Sequence, residues 1–276
     1  MLTLSYLTVN GAGPLEHVEA AAAGGFDGAD LRVMAPTHIP IRRRVVGNKP
    51  LIAELKRVCE RSGVKILNLE LITLKPGAKI ASFLPVLETA AELGARNMLT
   101  VIEDMDPSEV AEQFEELCAT GKDFGQRMAL EFMSFRSIKT IHDAVALVRK
   151  HGAGNAGVLI DALHLAWTGG TPADVARLTA EDIAYVQICD APIKVPPLEE
   201  HIQFARTGRL YPGKGELPLF DLLDAVPEGI PISVEVPYKA HARRTVVERA
   251  KLAGAATRSF LKEYKSIREH KTPKTL

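Results

Sequence analysis

The sequence predicts a (β/α)8 barrel, and three observations carry that prediction. Short β-branched runs alternate with longer segments of helical period from one end of the chain to the other. The alternation yields eight strands and eight helices, and 276 residues shared among eight units leave about 35 each, a normal length for one βα repeat. The Asn10-Gly-Ala-Gly13 segment after the first strand does not continue into the glycine-rich dinucleotide fingerprint that would favour an open, doubly wound sheet.

Taken in order, the first strand is expected at 2–9, where apolar and polar residues alternate. The first helix, 14–23, opens on Pro14, whose missing N–H is tolerated in a first turn, and stops at Gly24-Gly25. A strand at 28–33 is followed by a helix at 50–61 that opens on Pro50 and ends before Gly63. The third unit pairs a strand at 65–72 with a helix at 83–93 closed by Gly94. The fourth strand, 97–103, precedes Pro107 and a helix at 108–118. In the fifth unit, strand 128–133 leads to helix 138–150, with Gly152 as its expected left-handed cap. Strand 157–161 and helix 172–178, opening on Pro172, make the sixth unit. Strands 183–189 and 232–236, with helices 217–225 and 245–264, complete the series. No Pro-, Ser- or charge-rich linker interrupts it, so residues 1–270 read as one barrel domain and 271–276 as a polar tail.

Composition narrows the function classes. Lys and Arg number 34 and so do Asp and Glu, and this zero net charge argues against a nucleic-acid binder that works by bulk phosphate attraction. With 46% hydrophobic residues the chain can bury enough surface to offset its ordering entropy. Cys59, Cys118 and Cys189 are widely spaced and odd in number, which suggests neither a disulfide framework nor a structural zinc site. The first residues read as a strand rather than a signal peptide, and no apolar run approaches the roughly 20 residues that span a bilayer. The expectation is a cytoplasmic protein with no membrane partner.

In a barrel of this kind the active site lies at the C-terminal ends of the strands, so polar residues that end apolar strands are the ones to collect. Glu131 follows Met128-Ala-Leu130, Asp161 follows Val158-Leu-Ile160, Gln187 sits in Tyr185-Val-Gln-Ile-Cys-Asp190, and Glu235 sits in Ile232-Ser-Val-Glu-Val236. Three acids converging on an apolar mouth are costly unless a cation is shared among them. All four side chains are oxygen donors, which points to Mg²⁺ or Mn²⁺ rather than a Cys/His zinc site and leaves Co²⁺ and other divalent ions open.

The segments LEF at Glu131, IDALH from Asp161's strand to His164, VQICDA around Gln187, RLYPGKGEL from Arg209 and SVEV at Glu235 resemble the xylose isomerase-like TIM barrels, the sugar phosphate isomerase/epimerase superfamily. The most specific parts are Asp-x-x-His after the sixth strand and Arg-x-x-Pro-Gly-x-Gly after the seventh. The resemblance implies that Glu131, Asp161, Gln187 and Glu235 hold one divalent metal. It further implies proton abstraction next to a carbonyl of a small polyhydroxy substrate, through an enediolate. Epimerases of this superfamily usually place His where this chain has Gln187, and Gln there looks more like the branch containing 3-dehydroshikimate dehydratases. The expected activity is therefore a sugar isomerase or epimerase, with dehydration of a cyclic hydroxy-ketone as the alternative. The abasic-site nucleases of the superfamily need many His ligands, which this chain lacks near its acids.

Glu131 and Glu235 are expected to be the acid/base pair, with His164 as proton donor or substrate ligand. Arg209, Arg206, Glu70 and Trp167 are candidates for substrate binding, and Arg32 and Glu103 are weaker ones. Asp190 is expected to orient a ligand or the following loop. His38 and the Arg42-Arg-Arg44 cluster lie in a loop at 34–48 that could act as a lid, bind an anionic group or join a homo-oligomer.

Overall fold

Eight parallel strands pair in sequence order and close on themselves: β1 (Leu2–Ser5), β2 (Gly28–Arg32), β3 (Lys65–Leu74), β4 (Asn97–Ile102), β5 (Arg127–Glu131), β6 (Ala156–Asp161), β7 (Ile183–Ile188) and β8 (Ile232–Val234), with β8 returning to β1. The computed structural model describes residues 1–34 and 43–271. Among the described residues, ten helices surround the barrel: α1 (Pro14–Gly24), α2 (Lys49–Ser62), α3 (Leu84–Leu93), α4 (Pro107–Asp123), α5 (Ile141–His151), α6 (Ala162–Trp167), α7 (Pro172–Val175), α8 (Leu198–Thr207), α9 (Leu219–Ala225) and α10 (Val246–Lys271). The predicted closed barrel is the observed one. His38, Arg42 and residues 272–276 of the expected tail lie outside the described residues.

The strands are legible because they are buried on both faces and read as continuous apolar runs. Pro14, Pro107 and Pro172 each occupy the first helical position, and Gly25, Gly63 and Gly94 cap their helices in the left-handed conformation. Gly152 departs from that expectation: its φ is −77°. Its lack of a side chain serves packing instead, because a Cβ there would lie 2.4 Å from the Val148 carbonyl oxygen and 2.9 Å from Ala156 Cβ. The first strand is also shorter than expected. It gives way at Tyr6 to a 3-10 turn in which Thr8 Oγ1 donates to the Val234 carbonyl (2.8 Å) and accepts from the Val236 amide (2.7 Å), replacing the ladder.

Two helices were not expected. α6 begins directly at the end of β6, with the Asp161 side chain accepting from the His164 amide at 2.9 Å, so no glycine or proline announces it. α8 buries His201 and Ala205 while Leu198 and Ile202 stay exposed, a pattern opposite to the apolar stripe that marks a helix in sequence.

Alternation along the strands divides the barrel interior into tiers. Toward the N-terminal ends lie Thr3, Asp30, Asn68, Asn97 and Ser233, all buried. Leu99, Ala129, Leu159 and Tyr185 belong to an apolar cluster that separates this tier from the mouth, with Leu71, Val101 and Met133. Above it stand Ser5, Arg32, Glu70, Glu131, Asp161, Gln187 and Glu235.

Candidate active site

β5 and β6 end in Glu131 and Asp161, Glu235 directly follows β8, and all three side chains turn into the same mouth. Glu131, Asp161 and Glu235 each bring a carboxylate oxygen within 4.8 Å of the others. Gln187, from β7 between them, donates its Nε2 to Glu235 Oε1 at 3.2 Å, and its Oε1 is buried with no partner. The four collected residues thus come together.

Arg209 joins them. It is 1% exposed, and its guanidinium reaches Asp161 Oδ2 at 2.5 Å and Glu235 Oε2 at 3.0 Å. Its Nε donates to the Ala205 carbonyl at 2.9 Å. The loop that delivers it is closed by a pair of backbone hydrogen bonds of 2.8 Å between Asp190 and Leu210. The Asp190 carboxylate accepts from the amides of Ala191, Gly213 and Leu217 at 2.9–3.0 Å, so it orients the following loop. Gly215 passes so close that a Cβ would stand 2.5 Å from Asp190 Oδ1.

The acids differ in how they are held. Burial alone would raise Asp161, but Arg209 and His164 beside it bring its carboxyl below the usual range. Burial, opposed chiefly by Arg209, raises Glu235 to about 7. Its Oε1 accepts from Ser5 Oγ (2.6 Å) as well as Gln187, and its Oε2 faces Arg209. Glu131 accepts no hydrogen bond among the described residues, and burial followed by the Glu235 and Asp161 charges raises it well above the ordinary carboxylate value. Its nearest basic group is His164 Nε2 at 3.9 Å. Burial lowers His164 to about 4, so the imidazole is neutral, and it stands edge-on to Phe135.

These residues fit a divalent cation on two counts. Three carboxylates against one guanidinium leave two negative charges if all are ionised, and a buried carbonyl oxygen of Gln187 lacks any donor. Glu131, Asp161, Gln187 and Glu235 would hold the ion through oxygen alone.

A cavity of about 90 Å³ opens over this floor, walled by Leu7, Leu71, Leu99, Val101, Met133 and Phe135 and rimmed by Arg32, Arg136 and Arg206. Arg206 therefore faces the cavity. Glu70 is wholly buried against Arg32 (2.8 Å) and accepts from Ser5 Oγ at 3.2 Å, so its oxygens are already engaged. Trp167 lies away from the cavity: its Nε1 donates to the Pro192 carbonyl and its ring packs on His201 and Phe204 of α8. Glu103 lies 3.4 Å from Arg136, and Arg43 is an exposed residue 3.8 Å from Glu54. Ser5 and Arg136 were missed by the sequence reading. A serine at the end of a strand and an arginine in a loop of mixed composition carry no signal of their own.

Residues 18–264 match the family described as the xylose isomerase-like TIM barrel. The chain belongs to this family. Its relatives include the 3-dehydroshikimate dehydratase of Pseudomonas aeruginosa, 28% identical in an alignment of 249 positions that covers 84% of this chain and 37% of that protein. The chain spans about a third of the length of the curated relatives it matches. Among solved structures, the IolI protein with a bound zinc atom superposes with a TM-score of 0.77 at 18% identity, covering 95% of this chain and 98% of that one. D-Allulose 3-epimerase from Methylomonas sp., in complex with D-allulose, gives 0.70 at 14% identity over 95% and 96%. These superpositions show a shared fold. Structural neighbours on this barrel thus include an epimerase, and sequence relatives are named 3-dehydroshikimate dehydratase. No helix among the described residues is long and apolar enough to cross a membrane.

Proposed function

We propose that this barrel is a divalent-metal-dependent lyase that removes water from a small cyclic hydroxy-ketone of the 3-dehydroshikimate type. The observation that carries this reading is the unequal freedom of the two glutamates. A carboxylate offers about four lone-pair sites. On Glu235, Ser5, Gln187 and Arg209 take three of them and a bound cation would take the fourth, so it is a holding group. Glu131 retains free lone pairs, faces the cavity and binds a proton readily. One acid/base group suffices for elimination across neighbouring carbons, whereas epimerisation requires a second group that returns a proton to the other face.

A divalent ion, Mn²⁺ or Mg²⁺, bound by Glu131, Asp161, Gln187 and Glu235 would polarise the substrate carbonyl and keep Glu131 ionised before turnover. Glu131 then accepts the proton α to the carbonyl as the C–H bond breaks. His164, at 3.9 Å, relays that proton to the β-hydroxyl, the C–O bond breaks, water departs and a C=C bond remains. The apolar wall of Leu71, Leu99, Val101 and Phe135 limits competing solvent at the reacting carbons. The relatives named 3-dehydroshikimate dehydratase support the same reading, as does Gln187 at the strand-seven position.

The isomerase or epimerase expected first from the sequence uses the same floor but asks Glu235 to exchange protons. Incubating the Mn²⁺-loaded protein with 3-dehydroshikimate and, separately, with a panel of ketohexoses separates the two. A rise in aromatic absorbance from 3-dehydroshikimate is expected. Epimer formation from a ketohexose without any absorbing product would overturn the lyase reading.

A further inference from the structure

Two arginines on the cavity rim have donors that nothing among the described residues uses. Arg136 enters from the loop after β5, and Arg206 enters from α8 on the far side of Arg209. The Arg136 Nε is buried and unpartnered, and only one of its terminal nitrogens meets Glu103, at 3.4 Å. Arg206 is half-buried and makes no hydrogen bond or ion pair among the described residues. Behind them Arg32 adds a third charge, its own fork occupied by Glu70 and its plane 4.7 Å above the Tyr6 ring.

Guanidiniums that converge from separate elements repel one another. Burial lowers Arg206, and the charges of Arg136 and Arg32 lower it further. A buried N–H without an acceptor costs free energy as well. Both costs vanish if an anionic oxygen group sits between the two forks, since planar guanidinium pairs match carboxylate and phosphate oxygens. The acidic floor is claimed by Arg209 and the proposed cation, so it cannot serve as that anion.

We propose that Arg136 and Arg206 form a clamp for an anionic oxygen group of the substrate, so that the cavity takes acids of the carboxylate or phosphate type in preference to neutral sugars. The floor engages the ketone end and the rim the anionic end of one small molecule. This inference rests on the lyase reading for the identity of the ketone but not for the anion.

The test uses the Mn²⁺-loaded protein and the variants Arg136→Gln, Arg206→Gln and Arg206→Lys, with Arg177→Gln, at a 77% exposed site, as control. Calorimetry compares 3,4-dihydroxybenzoate with catechol, which differ by one carboxylate, and kinetics compares 3-dehydroshikimate, a ketohexose 6-phosphate and the neutral ketohexose. The carboxylate is expected to strengthen binding about tenfold or more, and each Gln variant to lose about tenfold, the loss falling on KM more than on kcat. Lysine is expected to recover part of it, because charge persists while the fork is lost. Turnover of 3-dehydroshikimate with KM unmoved in both Gln variants would overturn the clamp and leave the lyase reading standing. If 3-dehydroshikimate is inert but the phosphate ester binds and the variants lose that binding, the clamp stands and the lyase reading falls. Equal turnover of the neutral and phosphorylated ketohexose, with 3-dehydroshikimate inert, overturns both.

Discussion

The barrel buries two sets of polar residues, and they are built on opposite plans. In the tier near the N-terminal ends, a single acid, Asp30, accepts from Thr3 Oγ1 (2.8 Å), Asn68 Nδ2 (2.7 Å) and Ser233 Oγ, and Asn97 donates in turn to Asn68 at 2.8 Å. Each of these donors has an acceptor, and no basic side chain among the described residues takes part. In the mouth, three acids share one guanidinium, and a carbonyl oxygen stands alone. A closed network rigidifies a fold, whereas an open one awaits a charge from outside. The contrast separates what holds this barrel from what operates it.

The largest effect expected from breaking the contrast is on turnover. Glu131→Gln keeps the shape of the mouth but removes the proton acceptor, and kcat should fall about 10²–10⁴-fold while urea unfolding is little changed. A variant that retains wild-type kcat would remove Glu131 from the chemistry.

Arg209→Met strips the mouth of its internal cation. Leaving Asp161 and Glu235 unpaired should cost roughly 3–5 kcal/mol in chelator-treated protein, and saturating Mn²⁺ should recover part of it. If chelated wild type and variant unfold at the same urea concentration, the ion pairs do not support the folded state.

Asp30 in the closed tier titrates in the opposite sense to Asp161 in the mouth. Burial raises Asp30 to about 7 against its three donors. The folded chain therefore holds a proton that the unfolded chain has released, and this contribution to stability is present below about pH 4 and lost as pH rises through about 7. The swing is about 4 kcal/mol. In urea titrations, Asp30→Asn should flatten the fall in stability between those pH values, and parallel wild-type and variant curves would refute the assignment.

The smallest effect sharpens the comparison. At a hundred times its dissociation constant, Mn²⁺ or Mg²⁺ should stabilise the protein by about 2.7 kcal/mol. Thermal melts should show this increment unchanged in Asp30→Asn and reduced in Gln187→Leu, which lacks the lone carbonyl oxygen. An increment lost equally in both would place the ion elsewhere.

Much of this architecture is readable in one dimension because buried parallel strands interrupt their apolar runs only where a polar group has work inside the barrel. Glu131, Asp161, Gln187 and Glu235 are such interruptions, and the structure brings them together. Arg209 was legible as a motif residue but not as the partner of Asp161, since 48 residues separate them and it takes the β6–β7 ladder together with the Asp190–Leu210 pairing to close that distance. Ser5 and Arg136 were illegible for a related reason: their meaning lies in Glu235, Glu70 and the cavity, all remote in sequence. Trp167 drew notice as a lone large ring beside Asp161 and His164, yet it turns outward onto α8.

The Asp190–Leu210 pairing also bears on how such a barrel diversifies. It pinches off residues 191–209 as an excursion whose two ends are fixed side by side. Arg209 stands at the pinch and α8, with Arg206, stands in the excursion. Insertions or deletions in the intervening segment leave the reactive floor in register while they redraw the rim, so selection can exchange substrates without rebuilding the chemistry.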